Sequence, residues 1–242
     1  MDTKIFPSYI NMCKTVALEI ADLIRTDAHA VLCLAAGHTS LGVFEELVAL
    51  AEGGGVSFDK CTFVGLDEWA GKGIGDDGSC IGFMKSNLFD KLGIQEDKII
   101  FYNGKGNLAA ECRRIDDFLK FNGPIDYVLL GMGMNGHLGL NEPGTSFHLY
   151  SHVVELDETT KRVGQKYFKR NTQLSGGITM GMLHFKEAKR TVLMVNGSKK
   201  AELVKKLISS EPTEAIPATY LKNLEHTGLY LDEEAASLIV NR

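Results

Sequence analysis

Four short segments of this chain are continuously apolar at their centres: AVLCLA (30–35), CTFVGL (61–66), IDYVLL (125–130) and TVLMVNG (191–197). A strand with one wet face alternates apolar and polar residues, whereas a strand covered on both faces does not. Segments with helical spacing lie between them. Met12, Val16, Ile20 and Ile24 recur at helix intervals, and 39–52, 79–93 and 107–121 read as helices, the first with Thr39 or Ser40 as its N-cap. Further strands are expected at 98–102, 152–156 and 227–231. Further helices are expected at 158–168, 180–188 and 199–208, with a last helical turn at 217–224. This alternation predicts an α/β fold, a single doubly wound, mostly parallel sheet with helices on both faces. No linker, repeat or low-complexity segment divides the chain, so 1–242 is read as one domain.

Composition narrows the partners. The formal net charge is −5 and no basic stripe stands out, which argues against nucleic acid. No apolar run approaches the ~18 residues of a membrane span. The first ten residues, MDTKIFPSYI, lack the charged and apolar regions of a signal peptide. The five cysteines form no C-x-x-C pair and are odd in number. A reduced, cytoplasmic protein without a disulfide framework or structural zinc is expected.

In doubly wound sheets the ligand sits beyond the carboxyl ends of the strands, near the switch in strand order. Four polar clusters follow strands here. They are Gly37-His38-Thr39-Ser40, Asp67-Glu68-Trp69, the loop carrying Asn135, His137, Asn141 and Glu142, and Gly197-Ser198-Lys199-Lys200. All four are expected on one edge.

The third cluster holds Gly131-x-Gly133-x-x-Gly136, the spacing of a dinucleotide fingerprint, with Glu155 placed 19 residues later. A dinucleotide loop needs a helix opening at its third glycine. Gly136 is instead followed by HLGLNEPG, where Gly139, Pro143 and Gly144 oppose a helix. The fold is therefore Rossmann-like without a dinucleotide site, and the glycines serve close backbone approach or positive φ.

The other residues carry open alternatives. Asp67 is a helix N-cap or loop carboxylate on one reading and a general base on the other. His137 is a structural imidazole or a proton carrier. A metal held by His137 and Glu142 with His38 or Asp67 is disfavoured, because a spacing of five in a Gly/Pro loop is no recognised ligand pattern. Lys200 is a solvated lysine or an anion ligand. Two helix N-termini and a lysine on one edge favour a small phosphorylated ligand.

GLDEWAG (65–71), GMGMNGHLGLNEPG (131–144), GGITMGM (176–182) and NGSKKA (196–201) resemble the glucosamine/galactosamine-6-phosphate deaminase/isomerase family. NGHLGLNEP and TEAIPATYL (213–221) are most similar to its galactosamine-6-phosphate branch. The resemblance implies aldose–ketose isomerisation with deamination. The expected reaction converts galactosamine-6-phosphate to tagatose-6-phosphate plus ammonia, and is classed here with hydrolases as well as isomerases and deaminases. The alternatives are glucosamine-6-phosphate as substrate, then 6-phosphogluconolactonase.

By the motif match, Asp67 takes the C2 proton and returns it at C1. His137 shuttles the ring-opening proton, Glu142 orients it, and Asn135 is its neutral neighbour, where the glucosamine branch carries aspartate. Lys200, Gly136 and the Gly37, His38, Thr39 and Ser40 loop hold the substrate and its phosphate. No cofactor or metal is implied. The family's phosphate-binding arginine is not evident, leaving Lys166, Lys169 or Arg170 as substitutes. A mobile lid over 144–172 and possible homo-oligomers complete the expectation, while the basic effector site of some relatives is replaced around 151–154.

Overall fold

The computed structural model describes residues 1–240; Asn241 and Arg242, the end of the expected 1–242 domain, lie outside the described residues. The strands are β1 (Asp2–Phe6), β2 (Val31–Leu34), β3 (Thr62–Val64), β4 (Asp67–Trp69), β5 (Ile99–Ile100), β6 (Tyr127–Gly131), β7 (His152–Glu155), β8 (Gly176–Thr179), β9 (Thr191–Val195) and β10 (Thr227–Asp232). The helices are α1 (Tyr9–Thr26), α2 (Leu41–Glu52), α3 (Cys80–Met84), α4 (Asp90–Leu92), α5 (Leu108–Asn122), α6 (Glu158–Gly164), α7 (Met182–Glu187) and α8 (Ala201–Ser209).

Seven strands form one sheet in the order β1-β10-β9-β6-β2-β3-β5, and every pair in it is parallel. The continuous apolar runs are its centre: every residue of β2 and β9 is buried. One apolar layer includes Ile115, Leu193, Val204 and Leu231, and the other includes Val16, Phe44, Leu129 and Met194. The sheet therefore has two covered faces, as its unalternating strands require. Chain order reverses between β2 and β6. The chain runs outward from β2 through β3 to β5, then returns to β6 on the other side of β2. That reversal opens a crevice at the carboxyl ends of β2 and β6.

Local signals explain most boundaries. The Ser8 side chain caps α1 by accepting from the Asn11 N–H, and Ser79 caps α3 by accepting from the Gly82 N–H. The helix expected over 79–93 is interrupted by a π-helical turn at Lys85–Phe89 and ends on the left-handed Gly93. Of the two expected N-caps of the 39–52 helix, Ser40 holds the N-cap position of α2 without a side-chain capping bond. His38–Ser40 form a 3-10 turn ahead of α2, and neither hydroxyl caps it.

Two features depart from the sequence expectation. β1 was not expected, because as an edge strand its residues are largely exposed and carry no apolar run. The second is an antiparallel three-stranded sheet, β4-β8-β7, with Asp67 paired to Thr179 and Val153 to Ile178. This small sheet stands over the carboxyl end of the large one and carries Asp67 on a strand.

Candidate active site

A cleft of about 200 Å³ lies at the strand-order reversal, and all four expected clusters contribute to its wall. Gly37, His38, Thr39 and Ser40 enter after β2, and Asp67 after β3. Gly131, Met132, Gly133 and His137 enter after β6, and Lys200 after β9. Glu142, Asn135 and Gly136 are not in its wall but build the loop behind His137. Thr159, Thr160, Val163, Lys166 and Tyr167 close the remaining side from α6 and the 3-10 turn after it.

Asp67 is neither a helix cap nor a solvated carboxylate. It is buried as the first residue of β4. Burial pushes its carboxyl up to about 6, against the Cys80 thiol and the charge of His137, which pull it down. Its neighbour Glu68 is fully buried and accepts the backbone N–H groups of Trp69, Cys80 and Ile81 at 2.9–3.1 Å. That carboxylate ties β4 to the start of α3 and so fixes the strand that presents Asp67.

The His137 loop is held by side chains. Glu142 Oε2 lies 3.4 Å from His137 Nδ1, and Thr160 Oγ1 lies 3.1 Å from the same nitrogen. Asn135 Nδ2 donates to Glu142 Oε2 at 2.8 Å, and its Oδ1 accepts the His137 backbone N–H at 3.3 Å. Asn135 thus orients the carboxylate and the main chain, and its carbonyl is not the partner of the ring. Burial pushes the Glu142 carboxyl up, but His137, Thr160 and the hydrogen bond from Asn135 outweigh it and hold it below the usual range.

The fingerprint glycines serve this loop. No helix opens at Gly136, whose φ is +87° and whose N–H closes a turn on Gly133 O at 3.1 Å. A Cβ on Gly133 would stand 2.3 Å from His137 Nε2. The bare backbone at Gly133 makes room for an imidazole, not a pyrophosphate.

The opposite end of the cleft is cationic. Lys200 ends a 3-10 turn ahead of α8, and its Nζ donates to Met132 O. Burial, and secondarily the nearby Lys166, lower its ammonium to about 8. The 3-10 turn His38–Ser40 has no side-chain cap, which leaves backbone N–H groups for a ligand. Thr39 Oγ1 donates to Asn196 Oδ1 at 3.2 Å, linking this turn to the Lys200 loop. Of the three substitutes for the expected arginine, Lys166 lines the cleft, whereas Lys169 and Arg170 do not.

Sequence reasoning missed Thr160, Cys80 and Tyr167. Their partners are far away in sequence and no motif marks them. Among the described residues, no three His, Cys, Asp or Glu side chains converge in metal-binding geometry.

Known proteins are similar to this chain over most of its length. A glucosamine-6-phosphate deaminase of Bacillus pumilus is 37% identical over 227 residues, covering 93% of this chain and 94% of that one. A solved structure of a monomeric glucosamine-6-phosphate deaminase superposes with a TM-score of 0.95 at 35% identity, covering 98% of this chain and 100% of the other. A 6-phosphogluconolactonase from Thermotoga maritima superposes at 0.76 with 15% identity over 96% and 98% of the chains, a likeness of fold alone. These findings correct two expectations. The close relatives are named deaminases, so the hydrolase class is withdrawn. They also carry glucosamine names, which leaves the galactosamine preference without support among them. The sequence profile described as glucosamine-6-phosphate isomerases/6-phosphogluconolactonase matches residues 9–229, and the chain belongs to that family.

Proposed function

We propose that this protein isomerises and deaminates glucosamine-6-phosphate to fructose-6-phosphate plus ammonia. One observation carries the reading: a buried carboxylate, Asp67, and a carboxylate-backed imidazole, His137, open on the same cleft as two lysines. Lys200, Lys166 and the N–H groups of His38 and Thr39 hold the phosphate, a strong charge-assisted arrangement. That anchor sets the sugar's reacting end against the two proton carriers. His137, oriented by Glu142, moves the ring-opening proton between the sugar oxygens. The substrate's ammonium acidifies the adjacent C2–H, and Asp67 carries that proton from C2 to C1. Water then replaces ammonia at C2.

On this reading 1–242 is one catalytic domain and 144–172 its lid, since α6 and the turn after it supply one wall of the cleft. A cytoplasmic setting suits a phosphorylated sugar and five free cysteines, all buried. Among the described residues no helix is long and apolar enough to cross a membrane.

The substrate assignment is tested by ammonia release from glucosamine-6-phosphate and galactosamine-6-phosphate under matched conditions. A higher kcat/KM for the glucosamine epimer supports it, and the reverse order restores the galactosamine reading. The phosphate assignment is tested through Lys200→Ala. Losing a charge-assisted bond of about 1.5–3 kcal/mol should raise KM roughly ten- to a hundredfold. The dephosphorylated sugar should be a poor substrate and lose little more in the variant. Because the Lys200 ammonium titrates near 8, the parental KM should climb above that pH, and the climb should be absent from Lys200→Ala. Equal losses on both sugars would remove Lys200 from the phosphate site.

A further inference from the structure

Thr160 lies on α6, outside the motifs that carry the family resemblance, yet its hydroxyl is the nearest side-chain partner of His137. Its Oγ1 is 3.1 Å from Nδ1, and the residue is only 4% exposed. Glu142 Oε2 is farther from Nδ1, at 3.4 Å, and Thr160 is among the groups that hold that carboxyl below its usual range. The helix is keyed to this point. Its N-cap Asp157 accepts the Thr159 N–H at 2.8 Å and faces Asn135 Nδ2 at 3.4 Å.

We propose that Thr160 is a positioning residue for His137. Its hydroxyl accepts the Nδ1–H of the imidazole, so Nε2 remains the basic nitrogen. The proposal rests on the deaminase reading for its catalytic consequence, but not for its geometry.

Hydrogen-bond bookkeeping selects this direction. Ionised Glu142 can only accept. If the hydroxyl donated to Nδ1 instead, the ring lone pair would face Glu142 Oε2 at 3.4 Å, acceptor against acceptor. With a proton on Nδ1, both of its contacts pair a donor with an acceptor. Nε2 lies at the other end of the ring, beside the bare Gly133 backbone. A neutral imidazole with Nδ1–H and a free Nε2 is the form that can accept a hydroxyl proton from a sugar. Placing the hydroxyl on α6 makes the tautomer and orientation of the His137 ring depend on that helix being docked.

The test compares the parent with Thr160→Val and Thr160→Ser, using two readouts. The first is the 15N spectrum of histidine-labelled protein, with His137 assigned through His137→Gln. The expected result is the Nδ1–H tautomer in the parent and in Thr160→Ser, and a mixture in Thr160→Val. The second readout is turnover of glucosamine-6-phosphate. Thr160→Val should lose kcat roughly ten- to a hundredfold, the scale of a hydrogen bond to a charged network. KM should stay within about threefold, because the phosphate ligands are untouched. Thr160→Ser should recover most of the loss. An Nε2–H tautomer in the parent overturns the proposal, as does parental kcat in Thr160→Val. If the parent releases no ammonia, the functional reading fails by itself, and the 15N spectrum of the unmodified protein still decides the role of Thr160.

Discussion

Asp67→Asn should bind amino-sugar phosphate and turn it over about 10²–10⁴-fold more slowly, the contribution expected of a positioned general base. The substitution keeps the shape of the side chain and removes only its basicity. Asp67 sits on β4, held from behind by Glu68 and its three backbone hydrogen bonds, so the strand need not move. A loss confined to kcat, with KM near parental, identifies a group that acts in the transition state. The parental kcat/KM should also rise with pH through about 6, where the buried carboxyl becomes a base.

Stability should run the other way. The folded carboxyl titrates near 6 and the unfolded one near 3.8, so the native state holds the extra proton between them. This group's contribution is therefore fully present below about 3.8 and is lost as pH rises through about 6. Glu68, raised by burial to about 7, acts in the same sense over a wider window. Asp67→Asn should flatten the part of the stability–pH curve between 3.8 and 6. An Asn variant with parental turnover would take Asp67 out of the mechanism.

Gly133→Ala is the second large effect. The added Cβ would lie 2.3 Å from Nε2, 2.4 Å from Cε1 and 2.6 Å from Cδ2 of His137. Contacts that short force the ring to swing, and the swing strains its bonds at Thr160 and Glu142. A displacement of about 1 Å at a reacting group costs on the order of 10²-fold in rate. The large sheet does not depend on that ring, so the variant should fold. Gly131→Ala is the control, because its Cβ would meet only Thr39 at 3.7 Å, an ordinary contact. Turnover should fall far more in Gly133→Ala than in Gly131→Ala. Equal activities would mean that the second fingerprint glycine does not serve the histidine.

The sequence made the large sheet readable where burial is two-sided. In 30–35, 125–130 and 191–195 the apolar runs coincide with the central strands. It was silent where burial does not write a pattern. β1 is an exposed edge strand, and β4 is only three residues long. The reversal of chain order between β2 and β6 explains why the polar clusters after separate strands meet in one cleft. Lys166 was one of three equivalent substitutes until the turn after α6 faced it into the wall. Thr160 was unreadable because its partners His137 and Glu142 lie 23 and 18 residues away in a different element. The second glycine of the fingerprint was visible as a constraint, but its reason, the ring of His137, exists only in three dimensions.

The most direct test of the account uses one preparation of the unmodified protein and two substrates. Ammonia release is followed from glucosamine-6-phosphate, and acid release from 6-phosphogluconolactone. The account predicts ammonia and ketose phosphate in equal amounts, with no lactone hydrolysis above the spontaneous rate. Rapid lactone hydrolysis without ammonia release would contradict it, assigning the cleft to the other activity in the family's description.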